Sequence, residues 1–203
     1  MKLFLILMLM IPVVLHGQGK ASGFFSLGAA EKWWVITHPF RAGRAFRAMQ
    51  ETRVRVDSLY TTGVFDRWIH GGRLDAYRHT YWMAITGSRV GVRAARRLGR
   101  AHERSNYRDY LKGKTEEGIL ADATATEMDL HNNEAGLLLA MAYRQERISD
   151  LHINITELMK SGQLRMLKMD EQGRLLDCQG RVCARYENTA NQWKLHVCLI
   201  PTF

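Results

Sequence analysis

Three short polar clusters at helical spacing constrain this chain more than any other feature: Asp75-Ala76-Tyr77-Arg78-His79-Thr80-Tyr81-Trp82, Ala101-His102-Glu103, and Glu127-Met128-Asp129-Leu130-His131-Asn132-Asn133. Each sits among small and apolar residues, so a packed helix would bury its ionisable or amide side chains. Burying a neutral polar group without a partner costs on the order of 2–7 kcal/mol, and a lone charge costs more. A fold that accepts three such clusters has to pair them with one another or hold something between them. They form the candidate site.

Helical steps of three and four decide which residues meet. In the first cluster Asp75, His79, Trp82 and Thr86 share a face, with Arg78 at its border. Asp and His one turn apart can be two metal ligands, or a pair in which the carboxylate orients a basic imidazole. In the second, the small residues Val92, Ala95 and Gly99 lead to His102 on the apolar side, with Glu103 beside it. In the third, Asp129, Asn133, Gly136 and Ala140 line one face and Asn132 lies at its edge. Asp and Asn compete with the helix backbone, and Gly costs roughly 1 kcal/mol relative to Ala. That stripe predicts the close approach of another helix or of a ligand.

These faces nominate His79, His102, Asp75 and Arg78 as catalytic. Either histidine would be the general base, Asp75 and Asp129 would orient it or bind a metal, and Arg78 would hold developing negative charge. Trp82, Glu103, Asn132 and Asn133 are nominated to bind substrate or water. Asp75, His79, His102 and Asp129 are the candidate ligands should the cofactor be a divalent metal, and mixed imidazole and carboxylate ligands suit Zn, Mn or Fe better than a Ca cage. No HExxH, GxSxG, P-loop or dinucleotide fingerprint occurs. The reading is a hydrolase acting on an envelope component, a lipid or another ester, amide or phosphodiester. The alternative is a non-catalytic binding or structural module whose clusters form a buried hydrogen-bond network.

With 203 residues the chain suffices for one sizeable domain. Gly, Pro and Asn punctuation predicts a mainly α fold of about five or six helices with a short β-hairpin tail. The expected helices are Glu31 to Ile36, capped by Ser26 and stopped by Pro39; Arg41 to Tyr60; Leu74 to Thr86, broken at Gly87-Ser88; Val90 to Arg104; Asp122 to Glu146; and Asp150 to Lys160. A loop with Phe65, Trp68 and His70 and a polar loop over Ser105 to Leu120 separate them. Leu164 to Leu167 and Arg174 to Leu176 flank Asp170-Glu171-Gln172-Gly173 as a hairpin, and Arg181 to Tyr186 and Trp193 to Leu199 read as short strands. No internal repeat is expected.

Lys2 precedes an apolar run, Leu3 to Leu15, that is shorter than the about 20 residues needed to span a bilayer. It reads as a signal peptide over 1–20, cleaved to leave an exported protein, periplasmic or secreted, with a helical domain over 21–161 and the β-like tail over 162–203. Cys178, Cys183 and Cys198 all lie in that tail. In an oxidising compartment two of them can pair in any of the three combinations, and their place in the tail argues against a cysteine nucleophile. The net charge of +9, with arginine runs over Arg41 to Arg55 and Arg89 to Arg104, fits an anionic envelope component or membrane surface. Export makes specific nucleic-acid binding the weaker partner.

The motif set resembles an uncharacterised bacterial family of exported or effector-associated helical domains, a domain of unknown function. The residues that carry the likeness are Glu31-Lys32-Trp33, His38-Pro39-Phe40, Asp75-Ala76-x-Arg78-His79-x-x-Trp82, His102-Glu103 and Met128-Asp129-Leu130-x-Asn132-Asn133-x-x-Gly136, within Glu31 to Gly173. The resemblance implies that the clusters belong to one site and brings no activity. A weaker likeness is to small secreted bacterial phospholipases A2, whose Arg-His-Asp motif supplies a base and a calcium ligand. Here Thr80 follows Arg78-His79, so Asp75 or Asp129 would have to replace that ligand.

Overall fold

A computed structural model describes residues 24–113, 122–142, 148–183, 193 and 196–202. The expected signal peptide, the C-terminal turn of the helix expected to reach Glu146, and most of the strands expected near Tyr186 and Trp193 lie outside the described residues. Among the described residues a helical turn at 24–26 precedes six longer helices: α1 Ala29–Thr37, α2 Pro39–Thr62, α3 Arg73–Val90, α4 Val92–Tyr110, α5 Ala123–Ala142 and α6 Ile148–Lys160. Strands β1 Arg165–Leu167 and β2 Leu199–Pro201 complete the mainly α architecture with one small antiparallel sheet. Among the described residues no helix is long and apolar enough to cross a membrane.

Local chemistry explains the boundaries. Pro39 sits in the first turn of α2, where its missing N–H costs nothing, so it starts a helix as well as following one. Asp66 and Asp122 accept backbone N–H groups at the starts of α3 and α5, satisfying donors that the first turn leaves open. Two expected boundaries move. Gly87 does not break α3: a Cβ there would crowd Ala140, so its smallness serves packing, and the chain turns instead at Gly91, whose φ of 88° suits glycine. The helix expected to end at Arg104 runs on to Tyr110, with Ser105 buried against Ala101.

α3 is the central helix, buried on nearly every side. Leu74, Tyr77, Tyr81 and Ile85 pack with Val56 and Leu59 of α2, Leu139 of α5 and Ile155 of α6. Met83 faces Trp34, Leu98 and Leu137 in a second cluster. α3 and α5 form the most extensive helix pair. They meet at Gly136, where a Cβ would collide with the Thr80 carbonyl oxygen, as the small-residue stripe predicts.

The tail differs from expectation in its pairing. Arg165–Leu167 pairs with Leu199–Pro201, while the expected partner segment, Arg174 to Leu176, makes the isolated bridges Met169↔Leu175 and Leu176↔Val182. Cys178 and Cys198 form the disulfide and Cys183 is a free thiol. An internal repeat does exist: Asp-x-Gln-Gly-Arg occurs at Asp170 to Arg174 and again at Asp177 to Arg181. In each copy the Asp Oδ1 accepts two backbone N–H groups, its Oδ2 accepts from the Arg Nε at 2.6 Å, and the Gly has positive φ. Met128 of α5 packs against Leu167, Leu175 and Val197, which seats the tail on the bundle.

Candidate functional site

The α3–α5 crossing brings the first and third clusters face to face. Asp75 and His79 lie one turn apart on α3, and Asp129 and Asn133 one turn apart on α5; all four are buried. His79 Nε2 lies 3.4 Å from Asp75 Oδ1 and 3.3 Å from Asp129 Oδ1. On the opposite edge of the ring, Nδ1 lies 3.2 Å from Asn133 Oδ1. Burial pushes the imidazole down to about 3, against the pull of Asp75. The neutral ring donates from Nδ1 to Asn133, which turns the Nε2 lone pair towards the two carboxylates.

Asp75 is held from both sides. Its Oδ2 accepts the Gly71 N–H at 2.6 Å, and its Oδ1 lies 2.6 Å from Arg78 Nη2. The same guanidinium nitrogen is 3.3 Å from His79 Nε2, and about a third of the Arg78 side chain is accessible. Arg78 therefore forms the solvent-side rim of the centre.

His102 stands beside this centre. Its ring lies 6.3 Å from that of His79 and 5.4 Å from that of Trp82. Its Nδ1 lies 3.0 Å from Glu31 Oε1, with a quarter of the imidazole side chain accessible. Burial would raise the Glu31 carboxyl, but the hydrogen bond and attraction of His102, together with the Gly28 N–H and Ser105, outweigh it and hold the group below its ordinary value. Sequence reasoning missed Glu31 as a functional residue. It sits in α1, far from the clusters in sequence, and the signal for it was its place in the Glu31-Lys32-Trp33 motif.

The other nominated residues divide. Trp82 and Asn133 line the centre, and the Trp82 Nε1 and Asn133 Nδ2 donors are buried without a hydrogen-bond partner among the described residues. Glu103 is buried and accepts from Asn106 one turn along α4. Asn132 turns away: its amide donates to the Arg165 carbonyl and accepts the Arg165 N–H, both at 2.9 Å, so it ties β1 to α5. On the other side of Asn133 a cavity of about 120 Å³ opens between α4 and α5, lined by Met83, Gly99 and Leu137 with Arg96, Arg100 and Glu134. Among the described residues, Asp75, His79 and Asp129 are the three metal-capable groups that converge, with ligand atoms within 4.8 Å of one another; His102 is committed to Glu31 instead.

A family model for a domain of unknown function, DUF6973, matches residues 32–163. The chain belongs to this family. The DUF6973 match contains Asp75, Arg78, His79, His102, Asp129 and Asn133, and it begins one residue after Glu31. The tail beyond Gln163, with its disulfide and both turn repeats, lies outside the DUF6973 region. No curated protein and no solved structure matches the chain.

Proposed function

We propose that this protein is an exported hydrolase that cleaves an ester, amide or phosphodiester bond in an anionic envelope component. The observation that carries this reading is the Glu31–His102 pair, part-accessible and set beside a buried polar centre that still holds two hydrogen-bond donors without partners. A carboxylate on one imidazole nitrogen orients the ring and stabilises its protonated form, the arrangement a general base needs. His102 would take a proton from water as the water oxygen attacks the carbonyl carbon or phosphorus, and return it to the leaving group. Arg78, part-exposed at the rim of the centre, is the donor suited to the negative charge that develops, with the enclosed Trp82 Nε1 and Asn133 Nδ2 in a supporting role. His79, with 3 % of its surface accessible, is too enclosed to reach substrate and fits a positioning role. The arginines exposed along α4 favour an anionic substrate.

The test is turnover by the purified protein on nitrophenyl esters and phosphodiesters, anionic and zwitterionic phospholipid vesicles, and peptidoglycan fragments. His102→Gln should lower kcat by about 100-fold or more in protein that is still folded at the assay temperature, and Glu31→Gln should lower it less. Folded protein that turns over none of these substrates, or whose activity survives His102→Gln, would sink the reading. The burial of Asp75 and His79 favours a second reading, a non-catalytic network. Under that reading His102→Gln changes no activity, while substitutions at the α3–α5 crossing reduce stability.

A further inference from the structure

We propose that Asp75, His79 and Asp129 form a binding site for one divalent transition metal of the Zn, Mn or Fe class. The site shares its residues with the hydrolase reading but does not depend on it, because a metal can bind whether or not the protein turns over substrate.

The spacing suits a metal ion. Ligand atoms at about 2.0–2.2 Å from a tetrahedral metal lie roughly 3.4 Å from one another. The two separations from His79 Nε2, 3.4 Å to Asp75 Oδ1 and 3.3 Å to Asp129 Oδ1, match that value. Carboxylates and an imidazole held this close in the interior gain most from a cation placed between them.

The remaining atoms of the ligands are held by partners outside the centre. His79 is anchored through Nδ1 by Asn133, which leaves Nε2 as the coordinating nitrogen. Asp75 is anchored through Oδ2 by the Gly71 N–H, which leaves Oδ1 facing the centre. Metal sites use outer partners in this way to fix the tautomer and aim the ligand atoms. Two ligands come from one turn of α3 and the third from α5, and Gly136 sets the helix separation. One imidazole and two carboxylates suit Zn, Mn or Fe and leave a coordination position for water. Calcium, which takes six to eight oxygens, is poorly served.

Arg78 shows that the centre attracts a cation. Its Nη2 is 2.6 Å from Asp75 Oδ1 and 3.3 Å from His79 Nε2, so a cationic group already stands at the edge of the ligand set. A metal would compete with the guanidinium for Asp75, and Arg78 would move outward from its part-exposed position. The competing account is that Arg78 is itself the cation this centre was built to hold.

The experiment uses the full chain, freed of metal by chelator dialysis and titrated with Zn²⁺ or Mn²⁺, with Mg²⁺ and Ca²⁺ as controls. Calorimetry and the shift in unfolding midpoint are read together, without substrate. One Zn²⁺ or Mn²⁺ per chain should bind and raise the midpoint, since a ligand of the folded state stabilises it. Asp129→Asn and His79→Gln should each weaken binding at least tenfold, as should Asp75→Asn. Should any of these fail to fold, Arg78→Gln decides: removing the competing cation should tighten binding. No binding by either the wild type or Arg78→Gln overturns the proposal and leaves Arg78 as the resident cation. Binding that survives both Asp129→Asn and His79→Gln overturns it too, because the metal is then held elsewhere. Metal binding without turnover on any substrate would remove the hydrolase reading alone.

Discussion

Asp75 and Asp177 use the same chemistry in two different places. Each carboxylate accepts backbone N–H on one oxygen and meets, with the other, an arginine three or four residues along the chain: Arg78 for Asp75, Arg181 for Asp177. In the tail turn every one of these partners lies within four residues, and the arginine is largely exposed. In the helical centre the local partners are only the beginning, because His79 connects Asp75 to Asp129 on another helix. A local carboxylate turn is a folding device that water can replace. A carboxylate that needs a partner from fifty residues away is stable only once the helices have packed, and that kind of group marks a site.

The largest effect is expected at the helix crossing. Gly136→Val should destabilise the protein by about 3 kcal/mol or more in chemical denaturation, because the new side chain must push the Thr80 backbone away and overpacking against backbone cannot relax cheaply. A loss below about 1 kcal/mol would show that α3 and α5 do not need this close approach, and that the centre is looser than its distances imply.

Asn132 tests how the two regions are joined. Its two hydrogen bonds to Arg165 are the polar link between α5 and β1. Asn132→Ala should cost about 2 kcal/mol, roughly one per lost hydrogen bond, and should raise hydrogen exchange in 165–167 before it does so in α3. Uniform loosening of both regions would show that tail and bundle unfold as one unit.

Acid sharpens the contrast next. The Glu31 carboxyl is held below its ordinary value by His102, the Gly28 N–H and Ser105 despite burial. The folded state therefore binds the proton less readily than the unfolded chain. The stability this contributes is complete above the unfolded pKa of about 4.5 and is lost as pH falls through the folded value. The stability difference between wild type and Glu31→Gln should accordingly be largest near neutrality and shrink steadily below pH 4.5, measured by urea unfolding across that range. A difference independent of pH would assign the effect to packing rather than charge.

The smallest effect is expected in the exposed turns. Asp170→Ala removes the partner of the Gln172 and Arg174 N–H groups, but water can reach them. Its unfolding midpoint should move least of the variants above. A shift rivalling that of Asn132→Ala would mean the repeat carries more of the tail than its exposure suggests.

Much of the helical part is readable from residue order. Although the turn at Gly91 rather than Gly87 is decided by the packing of Gly87 against Ala140, Pro39, Gly63, Gly71-Gly72 and the runs of three- and four-step apolar positions mark most of the ends of α2 to α6 because helix formation depends on near neighbours. The stripes Asp75–His79 and Asp129–Asn133–Gly136 are readable for the same reason, as each is a property of one helix. The repeated Asp-x-Gln-Gly-Arg turn is equally local, but its two copies are short and differ at the second position, so it stands out only when the two carboxylates are seen to make the same bonds. The extension of α4 to Tyr110 was hidden because 105–110 is polar and its one buried anchor, Ser105, is a residue usually counted as loop-forming.

What no local pattern carries is which stripe meets which. That Asn133 faces His79 while its neighbour Asn132 faces Arg165 follows from about 100° of rotation per residue around α5 and from where β1 happens to dock. That His102 belongs to Glu31 depends on α1 packing against α4. That Arg165–Leu167 pairs with the distant Leu199–Pro201 is likewise a matter of packing, with Leu167, Leu175 and Val197 gathered in one cluster with Met128. Residue order decides where helices start, stop and turn polar, because those outcomes are set by neighbours within a few positions. The convergence of Asp75, His79 and Asp129 is decided by packing, because its energy comes from contacts between segments that only the folded chain brings together.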